Sequence, residues 1–111
     1  VSGDCFVVAF QYVFDHRADD RVRLCHGLPV GTGKANMGER FDHAWVEVGD
    51  LVIDKSNGND VMVTREFYYR IGRIVPDSVD RYTAREAAML ALESGHYGPW
   101  DGGSAKEQLA L

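Results

Sequence analysis

From Phe6 to Phe14 the chain is apolar or aromatic at nearly every position, with Gln11 as the polar break. Phe6, Phe10, Val13 and Phe14 fall at i, i+4, i+7 and i+8, one face of a helix, while Val7, Val8 and Tyr12 cover much of the remaining surface. This pattern predicts a central helix covered on more than one side. Ser2 or Asp4 is placed to cap its first turn by accepting orphan N–H groups. Residues 15–20 (DHRADD) read as a polar turn. In RVRLCHGLPV (21–30), Val22, Leu24 and His26 alternate with Arg21, Arg23 and Cys25, the period of a strand. The Gly-rich stretch 31–40 (GTGKANMGER) carries no packing pattern and reads as a loop.

The clearest element is FDHAWVEVGDLVIDKS, residues 41–56. Two β-rich runs flank Gly49-Asp50, a pair suited to a two-residue hairpin turn. Pairing about that turn sets Val48 opposite Leu51, Val46 opposite Ile53 and Trp45 opposite Asp54. Asn57-Gly58 ends the second run. Residues 64–72 predict a short helix opened by Thr64 and closed by Gly72. Residues 73–83 are extended, with Pro76 making them an edge or interrupted strand. TARE (83–86) is a capping-box sequence ahead of a helix with Gly95 at its C-terminal end. The order of elements predicts an α+β fold, a central N-terminal helix packed on a small antiparallel sheet.

The length of 111 residues fits one domain, expected over 1–101, with 102–111 a mobile tail. Apolar residues are 45% and charged residues 26%, ordinary for a globular chain. A net charge of −5 and a pI near 5.2 argue against nucleic acid as a partner, and the absence of a basic cluster argues against an anionic membrane. No stretch approaches the roughly 18 apolar residues of a membrane span. A basic segment followed by an apolar core is missing from the first residues, so the expectation is a cytoplasmic chain, with room for a trimmed leader because the first residue is Val. Two cysteines are too few for a disulfide framework.

Strand alternation puts His43, Trp45 and Glu47 on one face of the hairpin, and Val46, Val48, Leu51 and Ile53 on the other. Asp54 shares the His43 face and lies diagonal to it, roughly 7–8 Å away at the backbone, within reach of a His–Asp hydrogen bond. Such a bond fixes one imidazole nitrogen and leaves the other as a base. Cys5 is the nucleophile this base would serve, because a helix N-terminus favours the thiolate. On this reading Cys5 faces the His43–Trp45 side of the hairpin; on the Val46–Ile53 side it would be packing only.

A Cys at the start of a buried helix, then HAWVE on one strand and VIDKSNG on the next, resembles the papain-like superfamily in its transglutaminase-like and NlpC/P60-like branches. The match spans residues 3–58, and the later YTAREA and GHYGPW segments are similar to small uncharacterised phage and bacterial proteins with the same Cys–His–Asp order. The resemblance implies a thiol hydrolase or acyl transferase that needs no cofactor and acts on a peptide or other amide-containing substrate. Cys5 would be the nucleophile, His43 the general base and acid, and Asp54 the residue orienting His43, with Asn57 a rival for that last role. Gly38, Trp45 and Asn57 are the candidate substrate-contacting residues. The 31–40 loop is the candidate source of a second oxyanion donor beside the Cys5 N–H.

Other readings stay open. The fold could serve as a catalytically silent binding module, or a partner could complete the site. Trp45 is a cleft wall or core, and residues 96–100 line a pocket or latch the core. Oligomeric state is not legible. Metal is not expected: Cys25 and His26 are adjacent on a strand and point to opposite faces. GTGKA lacks a Walker loop's first Gly (Leu28) and its Ser/Thr (Ala35).

Overall fold

The computed structural model describes residues 4–32 and 37–100; the expected tail at 102–111 lies outside them. Helix α1 (Cys5–Asp15) leads into β1 (Val22–Gly27), β2 (His43–Val48), β3 (Leu51–Asp54) and β4 (Val61–Thr64). Helix α2 (Arg65–Ile71), β5 (Asp80–Tyr82) and α3 (Ala84–Ser94) follow, with 3-10 turns at Ser56–Gly58 and Pro76–Ser78. The strands form a fully antiparallel five-stranded sheet in the order β4-β3-β2-β1-β5. This is an α+β domain. No helix among the described residues is long and apolar enough to cross a membrane.

The hairpin forms in the expected register, with Val48 paired to Leu51 and Val46 to Ile53. The Gly49 turn at φ +63° suits a residue without a Cβ. Strand β4 was not legible: it is four residues long, half-exposed, and merges directly into the Thr64 cap of α2. The Thr64 hydroxyl accepts from the Phe67 N–H, and Thr83 and Glu86 complete the capping box of α3.

The sheet has a helix layer on each face. On one face Cys5, Ala9 and Val13 of α1 pack with Leu24, Ala44, Val46, Ile53 and, from α3, Ala87. On the other, Cys25, Trp45 and Val52 pack with Tyr69 of α2, Ile74 and Val79. Helix α1 is therefore buried along one stripe rather than nearly all round; Val7 and Phe14 are 49% and 39% exposed. The stripe consists of small residues, which let the helix axis approach the sheet, and the larger Phe6 and Phe10 pack at its sides.

Glu47 is 2% exposed in the second layer. Its carboxylate accepts from Trp45 Nε1, the Tyr69 hydroxyl, Arg81 Nε and Arg65 Nη1. Burial would raise its carboxyl, but bonds from Tyr69 and Trp45 and the Arg81 charge hold it below the usual range. Removing it strands two buried donors and two guanidinium groups. Glu47→Ala should therefore lose about 2–4 kcal/mol of stability, while Arg65→Ala, at a half-exposed partner, should lose less than about 1 kcal/mol. Urea denaturation of the two variants checks this ordering.

Candidate active site

The first residue of α1, the first of β2 and the last of β3 meet at one end of the sheet. Asp54 is 8% exposed and its carboxylate accepts four hydrogen bonds. His43 Nε2 lies 2.9 Å and the Tyr68 hydroxyl 2.8 Å from Oδ2, while the Ser56 N–H and hydroxyl donate to Oδ1 at 3.0 and 2.6 Å. With Nε2 held by Asp54, Nδ1 is the ring nitrogen left to serve a second partner.

Cys5 is the second group that acts on the ring. Burial alone would lower the His43 imidazolium, yet hydrogen bonding to Asp54 and to Cys5, together with their charges, raises it from 6.5 to about 9. Asp54 responds in the opposite sense. Burial would raise its carboxyl, but the bonds from His43 and Ser56 and the imidazolium charge hold it at about 2.

The route by which Cys5 reaches His43 corrects one expectation. Cys5 lies on the Ala44–Val46–Ile53 side of the sheet and not on the Trp45 side, the placement expected of a packing residue. Parity along the strand assigns faces, but it says nothing about the strand's end. His43 opens β2, and there a helix N-terminus on one face meets a side chain rooted on the other.

Asp4 occupies the N-cap position of α1, yet it makes no side-chain capping bond. Its Oδ1 instead accepts the Asn57 N–H at 2.8 Å, tying the start of α1 to the turn that carries Ser56. Ser2 lies outside the described residues. Asp54, not Asn57, bonds His43; Asn57 is exposed, with a left-handed backbone at φ 54°.

The three candidate substrate contacts fare differently. Trp45 is 0% exposed, packed against the rings of Tyr68, Tyr69 and His43, so it is core. Gly38 gives its N–H to the Gly31 carbonyl in an exposed turn at φ +78°. Asn57 stays at the surface beside Asp4. Reasoning from sequence missed Ser56 and Tyr68. An Asp bonding the N–H two residues on is an Asx turn, so Asp54-Lys-Ser56 carried a usable signal. Tyr68 carried none, because which face α2 covers depends on the tertiary fold.

A cavity of about 10 Å3, room for roughly one water, lies against Cys5, Ala44, Asp54 and Ser56. Cys25 is 0% exposed on the far side of the sheet, and burial followed by the Glu47 charge pushes its thiol well up. Comparison with protein-family models, curated proteins and solved structures finds no match to this chain.

The raised His43 contributes stability that is complete below pH 6.5 and is lost as pH rises through about 9. The depressed Asp54 contributes stability complete above 3.8 and lost as pH falls toward 2. In Asp54→Asn the His43 midpoint should drop from about 9 toward 6.5, and the stability loss across that window should flatten. Proton NMR of the imidazole and urea titrations at the two ends check both. An unmoved His43 midpoint would remove the carboxylate as the cause.

Proposed function

We propose that the chain is a thiol-dependent hydrolase or acyl transferase acting on amide bonds, with a papain-like or transglutaminase-like core. Cys5 is the nucleophile, His43 the general acid and base, and Asp54 the residue orienting His43. The observation that carries this reading is the His43 ring fixed by the buried Asp54 carboxylate at 2.9 Å, with the start of α1 close enough for Cys5 to favour the cationic ring as well.

The steps follow from that arrangement. The Cys5 thiolate attacks the amide carbonyl, forming the S–C bond, and the carbonyl electrons move to oxygen. The Cys5 N–H at the helix N-terminus donates to that oxyanion. His43 gives its proton to the departing amine as the C–N bond breaks, which leaves a thioester. Water or an amine then attacks, His43 takes its proton, and the thiolate leaves. Peptidase, amidase, deamidase and transglutaminase chemistry all share these steps. Tyr68 and Ser56 are positioning residues that act through Asp54.

Cys5 itself is only 6% exposed within an apolar cluster. That burial favours a second reading, a catalytically silent binding module of the same fold. Alkylation separates the two. With limiting iodoacetamide near pH 6, sulfur displaces iodide to form a thioether, and mass mapping locates it. The enzyme reading expects Cys5 to label at least about tenfold faster than Cys25, and the excess to vanish in His43→Ala. Equal sluggishness of both thiols in the folded protein would sink it.

A further inference from the structure

A second cavity, about 180 Å3, opens beside His43, and Phe6, next in the chain to Cys5, is part of its wall. Aromatic rings make up much of the rest of its wall, beside Leu28, Ser78 and Pro99. His26 packs edge-on to Phe6 at 4.8 Å and stacks on Trp100 at 4.9 Å, and Trp100 meets Tyr82 edge-on at 5.0 Å. Asp42 and Asp80 also line it.

Among the described residues lining this cavity, the charged groups are His43, Asp42 and Asp80. The His43 charge is matched by Asp54 at 2.9 Å, which leaves Asp42 and Asp80 as the acidic residues of the lining. Arg40 donates to the carbonyl of Leu28, itself a wall residue, at 2.6 Å, so one guanidinium stands at the margin against the two carboxylates. His26 adds no positive charge near neutral pH, since burial lowers it to about 4. It is 7% exposed, and its Nε2 has no hydrogen-bond partner among the described residues. Gly98 is pressed against the same ring at φ +109°, where a Cβ would fall 2.6 Å from Cε1. The backbone over His26 therefore approaches as closely as only glycine permits.

We infer that this cavity receives a cationic group of the substrate, an ammonium or guanidinium carried beside the scissile amide. Aromatic walls with a carboxylate margin are the environment that holds such a cation, through ring quadrupoles and ion pairing together. The inference rests on the acyl-transfer reading of Cys5 and His43.

Three chloroacetamides test it, bearing a 4-ammoniobutyl, a pentyl or a 4-carboxybutyl group on nitrogen. Each labels by the same step, sulfur displacing chloride, so the ratio of their rates at Cys5 compares the three side groups, and the aspartate variant separates the pocket from the chain's net charge of −5. The cationic probe should label about tenfold faster than the neutral one, with the anionic probe slowest. In Asp42→Asn/Asp80→Asn, checked for folding by circular dichroism, the cationic-to-neutral ratio should collapse toward one. Equal rates for the three probes at a reactive Cys5 would overturn the cation site and leave the acyl-transfer reading standing. Inertness of Cys5 to all three would overturn that reading. The pocket is then judged by titrating butylammonium against the indole N–H resonance of Trp100. A saturable shift supports a cation site there, and a linear or absent one overturns it.

Discussion

A carboxylate taken out of water must find its full complement of donors nearby, and Asp54 gathers them from three separate parts of the chain. His43 comes from the neighbouring strand, Tyr68 from the helix over the sheet, and Ser56 from the turn that follows. Each donor is fixed by the others' claims on the same two oxygens. The orientation of the imidazole is thus a property of the folded domain and not of the hairpin alone. Leaving any one donor out would expose a buried charge to an unfilled lone pair, which costs more than the bond itself contributes.

The same sheet face holds a second buried carboxylate, Glu47, and the contrast between the two is instructive. Glu47 is met by guanidinium, indole and phenol groups, none of which exchanges a proton near neutral pH. Asp54 is met by an imidazole, the one partner whose charge can change there. Burial is similar, but one acid cements β2 to α2 and β5 while the other is coupled to a titratable ring. Partner chemistry, more than burial, separates a structural acid from a candidate catalytic one.

The local rules were well represented in the sequence. Hairpin register followed from Gly49-Asp50 and alternation, and the helix caps followed from Thr64, Thr83 and Gly95. The His43–Asp54 contact was legible because that register already sets the two residues diagonally on one face. Features set by packing were not. Trp45 could not be assigned to core or cleft until α2 was seen to cover its face, and Tyr68 belonged to no periodic pattern. Cys5 falls on the opposite face from the one expected because parity along β2 says nothing about which face the start of α1 packs on.

Strand β5 is short, and it closes a long circuit. Leu24 pairs with Tyr82 across more than half the chain, whereas Val48 pairs with Leu51 across a two-residue turn. Closure entropy rises with the logarithm of loop length, so the ordering cost falls unevenly on the two sides of His43. The hairpin bearing His43 and Asp54 is the cheap part to hold, and the edge bearing Asp80 and Tyr82 is the expensive one. A partial opening of the domain would then release the pocket wall first and leave the imidazole–carboxylate pair assembled, with amide hydrogen exchange faster in Asp80–Tyr82 than in His43–Val48.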